Sequence, residues 1–239
     1  MTRSTKAVLF DFGGTLYDYA LLETAERESL VELVRSSGLK TSADDVVQAH
    51  RAALRQVFRD YLPRSYYLHR DMFRDAVVDM LRSLGANADD GQLDRYRALQ
   101  WSWHTRDFQL RDGVRETLAQ LRARGVQLGL VSNIDDDQLN HLMGVAGLRD
   151  AFDWLLSSEQ VGSCKPDPAI FAEALRRAGC PPQEVLFVGD TLLQDIAGAN
   201  RAGMRSVLLW HRDDRPPPDH GPRPHHIIRR ISDVLTILE

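Results

Sequence analysis

Three aspartates and one lysine stand at places in this chain where a fold could gather them. Asp11 ends the apolar run Ala7-Val8-Leu9-Phe10 and opens Asp11-Phe12-Gly13-Gly14-Thr15-Leu16. A carboxylate at the C-terminal end of a buried strand, followed by a glycine turn, lies where open α/β sheets bind ligands. Asp190 and Asp195 follow the apolar run Val185-Leu186-Phe187-Val188, and Ser132-Asn133 follow Leu128-Gly129-Leu130-Val131. Lys165 sits in Cys164-Lys165-Pro166-Asp167-Pro168. Strand ends converge in space even when distant in sequence, so these segments form one candidate cleft. Carboxylates crowded into a cleft repel one another unless a cation intervenes. Each residue also has a plain structural reading. Asp11 could cap a turn, and Asp190 with Asp195 could be a solvated pair at a helix start. Lys165 could be a surface cation, and Ser132-Asn133 an ordinary turn.

The elements that must position these groups are legible in the hydrophobic pattern. A first strand covers Ala7 to Asp11. From Ala20 to Arg106 no strand is evident, and helices fit Leu21–Ser37, Ala43–Tyr61, His69–Leu84 and Asp89–Trp103. Thr41 and Ser42 are candidate N-caps, and Gly38 and Gly85 stand where helices should stop. Beyond Gly113, strands at Val126–Ser132, Trp154–Leu156, Val185–Val188 and Ser206–Trp210 alternate with helices. Those helices are expected at Val114–Arg124, Asp136–Val145, Asp167–Ala178 and Leu193–Ala202. His211–Pro224 reads as a surface loop, and a short strand and helix end the chain. Alternation of this kind indicates an α/β protein with a parallel sheet covered on both faces. The expected organisation is a Rossmann-like core, residues 1–17 and 107–239, with an α-helical bundle cap, residues 18–106, inserted after the first strand.

Composition narrows the function classes. The 239 residues are 43% hydrophobic and 27% charged, as in ordinary globular proteins. A formal net charge of −4 with no basic stripe argues against nucleic acid as the main partner. No segment approaches membrane-span length, and two cysteines, Cys164 and Cys180, are too few for a disulfide framework. The apolar run behind Arg3 and Lys6 is too short for a signal peptide, so a cytoplasmic location is expected. Only three of the 30 basic residues are lysines, Lys6, Lys40 and Lys165. Where arginine serves as the general cation, a retained lysine hints at a need for a compact ammonium. Oligomeric state is left open.

The four segments, in this order and spacing, resemble the four motifs of the haloacid dehalogenase-like (HAD) superfamily, and the stretch from Asp195 to Met204 is similar too. The resemblance covers the whole core and implies roles. Asp11 would be the nucleophile, forming an aspartyl-phosphate. Asp11, the carbonyl of Gly13, Asp190 and Asp195 would hold Mg2+, which takes hard oxygen ligands. Lys165 would pair with Asp11 and the transferring phosphoryl group. Ser132 and Asn133 would bind phosphate oxygens, and Gly14 and Thr15 would add turn geometry and backbone donors. In the cap, the turn from Leu62 to Arg70 would face the active site and supply Arg64 and Tyr67 to the substrate. Trp101, Trp103 and His104 read as packing residues, and His225-His226 as solvated loop histidines.

Gly13 departs from the pattern. The family's phosphatases carry a second aspartate there as general acid and base, and glycine has no side chain to replace it. Asp18 could substitute through water, or simply cap the next helix. The expected activity is Mg2+-dependent phosphohydrolysis or phosphotransfer on a small phosphorylated metabolite, through an aspartyl-phosphate intermediate. Two alternatives stand beside it. A 2-haloacid dehalogenase would use Asp11 against carbon, but needs no metal and so no retained Asp190 and Asp195. A catalytically weak HAD-fold binding or regulatory protein would fit Gly13, but not an intact Asp11, Lys165 and Asp190.

Overall fold

A computed structural model of the chain describes residues 4–19, 23–106, 108–211, 216–217 and 219–238, with the side chains of residues 23–25, 103 and 104 outside the described set. The start of the first expected helix at Leu21, part of the expected loop 211–224, and the side chains of Trp103 and His104 therefore lie outside the described residues. The chain divides into two compact units. One comprises Met1–Asp18 and Gln109–Glu239, the other Tyr19–Phe108.

The first unit is built on strands β1 (Ala7–Phe10), β2 (Gln127–Ser132), β3 (Trp154–Ser157), β4 (Val185–Gly189), β5 (Arg205–Leu209) and β6 (His226–Ile228). They form one sheet in the order β3-β2-β1-β4-β5-β6, every pair parallel. All four residues of β1 and all five of β4 are buried, as strands covered on both faces must be. The chain winds outward in both directions from β1, so the order reverses between β1 and β4. That reversal opens a crevice at the strand C-termini, the usual ligand position in such sheets. Asp11 stands there, its N–H bonded to the Val188 carbonyl at 2.9 Å.

The helices named next follow chain order. The helical unit holds α1 (Glu23–Ser36), α2 (Ala43–Tyr61), α3 (His69–Ser83) and α4 (Asp90–Arg106). The sheet unit holds α5 (Val114–Ala123), α6 (Asp136–Ala146), α7 (Ser158–Val161), α8 (Pro168–Ala178) and α9 (Ala197–Arg201). One face of the sheet is sealed by a cluster that includes Leu9, Phe187, Ile170, Phe171 and Ala199. The short α7 has too little sequence for a periodic signal.

Three details correct the sequence reading. The helix expected at Leu193–Ala202 begins as a wide π turn at Leu192–Ile196 before α9. The N–H groups of Asp195 and Ile196 both reach the Thr191 carbonyl, while the Asp195 side chain returns to Thr191. Drawing that carboxylate inward widens the turn. The terminal helix is a 3-10 segment, Ile231–Thr236. Finally, His226 is not a loop residue, whereas His225 stays exposed in the bend before it. His226 opens the edge strand β6 against Val207, and the His225 ring lies 3.0 Å from the Ser206 hydroxyl.

In the helical unit α2 packs on α3 and α1 on α4. Ser42 caps α2 by accepting from the Asp45 N–H at 3.1 Å. The buried face of α2 presents Val46, His50, Ala53, Val57 and Tyr61 at helical spacing. His50 is the anomaly. Its Nε2 is buried without a hydrogen bond, and its Nδ1 lies 3.9 Å from Glu26. Burial pushes the imidazole down to about 4, from an ordinary 6.5. Above pH 6.5 neither the folded nor the unfolded chain holds this proton. As pH falls toward 4 only the unfolded chain takes it up, so stability is lost across that window. At about 1.4 kcal/mol per pH unit the loss amounts to about 3 kcal/mol. His50→Leu should flatten the acid limb of a urea-unfolding series between pH 7 and 4.5. An acid limb as steep in His50→Leu as in wild type would assign the loss to other groups.

Candidate active site

The groups singled out at the strand ends meet in the crevice of the sheet unit. Lys165 Nζ donates to Asp11 Oδ1 at 2.6 Å and to Asp195 Oδ1 at 2.7 Å. Ser132 Oγ donates to the same Asp11 oxygen at 3.2 Å, and Thr15 Oγ1 donates to Asp11 Oδ2 at 2.9 Å. Both oxygens of Asp11 are thus engaged, which fixes the plane of the carboxylate. Asp11, Lys165 and Asp195 are all buried, while Asp190 is half-buried at the rim. Carboxylate oxygens of Asp11, Asp190 and Asp195 lie within 4.8 Å of one another.

Glycines make this crowding feasible. Gly14 adopts φ 81, a left-handed conformation that favours glycine, and a Cβ there would overlap the Asp190 carboxylate. A Cβ at Gly189 would overlap the Asp195 side chain. Gly13, by contrast, is not among the positive-φ glycines. It forms an isolated bridge to Tyr17, and the Gly14 N–H bonds to the Tyr17 carbonyl at 3.0 Å.

The electrostatics follow from one ammonium among three carboxylates. Burial alone would push the Lys165 proton off, but the charges of Asp11 and Asp195 more than offset it, so its pKa is raised and it stays protonated. Burial pushes the Asp11 carboxyl up, Lys165 opposes this, and Asp195 adds to it. Asp190 is pushed up to about 8, by burial first and then by Asp11 and Asp195. Fully ionised, the four groups carry an uncompensated negative charge. That excess, held on hard oxygen donors beside the Gly13 turn, fits a divalent cation of the Mg2+ class.

The structure redistributes some expected duties. Asn133 does not present its amide to a ligand. Its Oδ1 accepts from the Lys165 N–H at 2.6 Å and its Nδ2 donates to the Lys165 carbonyl at 2.9 Å. It clamps the lysine's backbone from both sides. Asp195 spends one oxygen on Lys165 and the other on the Thr191 N–H and hydroxyl, at 2.9 and 2.5 Å. It therefore supports the lysine from behind. The Thr191 contact was not expected, although a threonine four residues before an aspartate is a familiar local turn pairing. Asp18 pairs through Oδ2 with Arg111 at 3.0 Å. In the helical unit, the Arg64 guanidinium lies over the Tyr61 ring at 3.9 Å. Tyr67 is buried edge-on to the same ring at 5.7 Å.

Comparison with known proteins adds a family signal. A family model described as haloacid dehalogenase-like hydrolase matches residues 5–203. The chain is 33% identical to the glyceraldehyde 3-phosphate phosphatase of Methanopyrus kandleri, over 98% of this chain and 97% of that protein. It is 31% identical to the human haloacid dehalogenase-like hydrolase domain-containing protein 3, over 89% and 86% of the two chains. Among solved structures, a phosphatase from Thermococcus onnurineus superimposes with a TM-score of 0.72 at 26% identity, covering 98% of each chain.

Proposed function

The chain belongs to the haloacid dehalogenase-like hydrolase family, and from that premise we propose that it is a Mg2+-dependent phosphohydrolase acting on a small phosphorylated metabolite. The observation that carries the reading is the Asp11 carboxylate, bonded to Lys165 at 2.6 Å with Asp190 and Asp195 gathered beside it. Relatives named as phosphatases of glyceraldehyde 3-phosphate and of ribulose-1,5-bisphosphate support a small phosphorylated metabolite as the substrate. Among the described residues no helix is long and apolar enough to cross a membrane.

In the proposed reaction an Asp11 oxygen attacks phosphorus. An O–P bond forms to the carboxylate, and the ester O–P bond breaks with its electron pair leaving on the alcohol oxygen. Water then attacks the aspartyl-phosphate, returning Asp11 and free phosphate. Lys165 neutralises charge on both partners and holds Asp11 in line. Ser132 and the Thr15 N–H would receive phosphoryl oxygens. Asp11, the Gly13 carbonyl and Asp190 would hold Mg2+, with Asp195 behind them. The ion, when bound, supplies charge neutralisation and a template for the phosphoryl oxygens.

A panel of phosphorylated metabolites, assayed with Mg2+ and with chelator, tests the reading. Phosphate release is expected only with Mg2+. Asp190→Asn should lower both the rate and the Mg2+ affinity measured by calorimetry. Because Asp190 is pushed up to about 8, Mg2+ binding should release a proton near neutral pH and strengthen as pH rises. Unchanged Mg2+ affinity in Asp190→Asn would refute the metal assignment. Metal-free halide release from 2-haloacids would replace the phosphatase reading with a dehalogenase one.

A further inference from the structure

The structure assigns to Arg111 the positioning of the Asp11 loop, a role that rests on the phosphatase reading above. Arg111 lies two residues inside the segment Gln109–Glu239, which completes the sheet unit. Its backbone N–H donates to the Leu16 carbonyl at 2.8 Å, and its neighbour Leu110 forms an antiparallel bridge with Tyr17. Its side chain then reaches both ends of the same turn. Nε donates to the Gly14 carbonyl at 3.0 Å, and Nη1 donates to Asp18 Oδ2 at 3.0 Å.

What lies between those anchors gives the contact its consequence. Thr15, next to Gly14, donates to Asp11 Oδ2. The Gly14 backbone runs so close to the Asp190 carboxylate that a Cβ there would overlap it. The Gly13–Tyr17 bridge and the bond from the Gly14 N–H to the Tyr17 carbonyl close the turn on itself. Displacing the Gly14 carbonyl therefore moves Gly13, Thr15 and the Asp190 contact together. A planar fork can serve a carbonyl and a carboxylate at once, and a lysine ammonium on its flexible stem cannot hold that geometry. Only 17% of the Arg111 side chain is exposed, so water does not readily replace it. Arg111 touches no reacting atom. It sets where the turn holds Thr15 and the Gly13 carbonyl relative to Asp11.

The test compares wild type, Arg111→Met, Arg111→Lys and Asp18→Asn on p-nitrophenyl phosphate with Mg2+. Small displacements of a reacting geometry cost up to about 10²-fold, so Arg111→Met should lose roughly 10- to 10²-fold in kcat with KM little changed. Arg111→Lys should recover little. Asp18→Asn should cost less, because the bond to Gly14 survives. Guanidinium chloride well below unfolding concentrations should restore part of the Arg111→Met rate and none in wild type. A wild-type kcat in Arg111→Met overturns the assignment. So does a fall explained by lost folded protein and unmoved by guanidinium. If wild type releases phosphate from no ester, the phosphatase reading fails by itself. Hydrogen exchange then decides Arg111: faster exchange at the Gly14 and Leu16 amides in Arg111→Met supports it, and unchanged exchange overturns it.

Discussion

Lys165→Met should abolish most turnover and destabilise the metal-free protein, with both effects traceable to one buried charge. Lys165 is the only cation bonded to Asp11 and Asp195 among the described residues, and its side chain is 2% exposed. Methionine keeps the length and apolar stem, so packing over Phe187 is largely retained. What disappears is the charge. Breaking a buried pair by removing one partner costs about 3–5 kcal/mol, because the remaining charges stay desolvated. Here two carboxylates lose their partner at once. Burial already pushes the Asp11 carboxyl up against the opposing pull of Lys165, so without the ammonium its folded-state pKa rises further above the unfolded value. A carboxyl shifted in that direction stabilises the folded state at low pH and loses that contribution as pH rises. The deficit in Lys165→Met should therefore be small near pH 4 and grow toward neutrality. Denaturant unfolding at several pH values measures it directly. Mg2+ should narrow the gap in stability, since it supplies charge to the same oxygens. It should not restore rate, because a cation positioned on the transferring phosphoryl group is worth roughly 10³–10⁵-fold. A deficit that is constant with pH would mean that Lys165 acts through packing alone.

The sequence exposes those parts of this architecture that repeat locally. The apolar runs before Asp11, Ser132 and Asp190 each became a buried strand because a strand covered on both faces admits few polar residues. Their ends then had to converge, since a parallel sheet brings all its C-termini to one edge. That is why Asp11, Lys165 and Asp195 could be named together before their distances were known. Hydrogen-bond partners are a different matter. The Asn133 amide meets the Lys165 backbone across 32 residues, and the Arg111 guanidinium meets Gly14 across 97. Neither pairing leaves a periodic trace, and both residue types also suit solvated turns. His50 was hidden for the opposite reason. It occupies an apolar position on α2, where one polar letter does not break the helical pattern. The π turn before α9 likewise depends on where Asp195 is drawn, which only the Lys165 and Thr191 contacts determine.

Gly13 leads to the second large effect. The proposed leaving group departs without a side-chain acid at this position, so it must leave as an anion or take its proton from water. Asp18 already holds an ion pair with Arg111 through Oδ2. The rate should then rise steeply with leaving-group acidity, favouring acyl and aryl phosphates over alkyl and sugar phosphates. The second step lacks its base as well, so the aspartyl-phosphate should accumulate and be trappable by rapid acid quench. Gly13→Asp places a carboxyl at the missing position. Gly13 does not share the left-handed conformation of Gly14, so that source of backbone strain is absent. General acid–base catalysis contributes roughly 10²–10⁴-fold, and that is the gain in kcat/KM expected for alkyl phosphates, with little change in kcat/KM for aryl ones. The slope of log kcat/KM against leaving-group pKa should flatten accordingly. The added carboxylate enters a site already rich in negative charge, so the variant should also need Mg2+ more strictly than wild type. A wild-type series showing equal rates for aryl and alkyl phosphates, with chemistry rate-limiting, would mean that another group already acts as the acid. In that case Gly13→Asp should bring no gain.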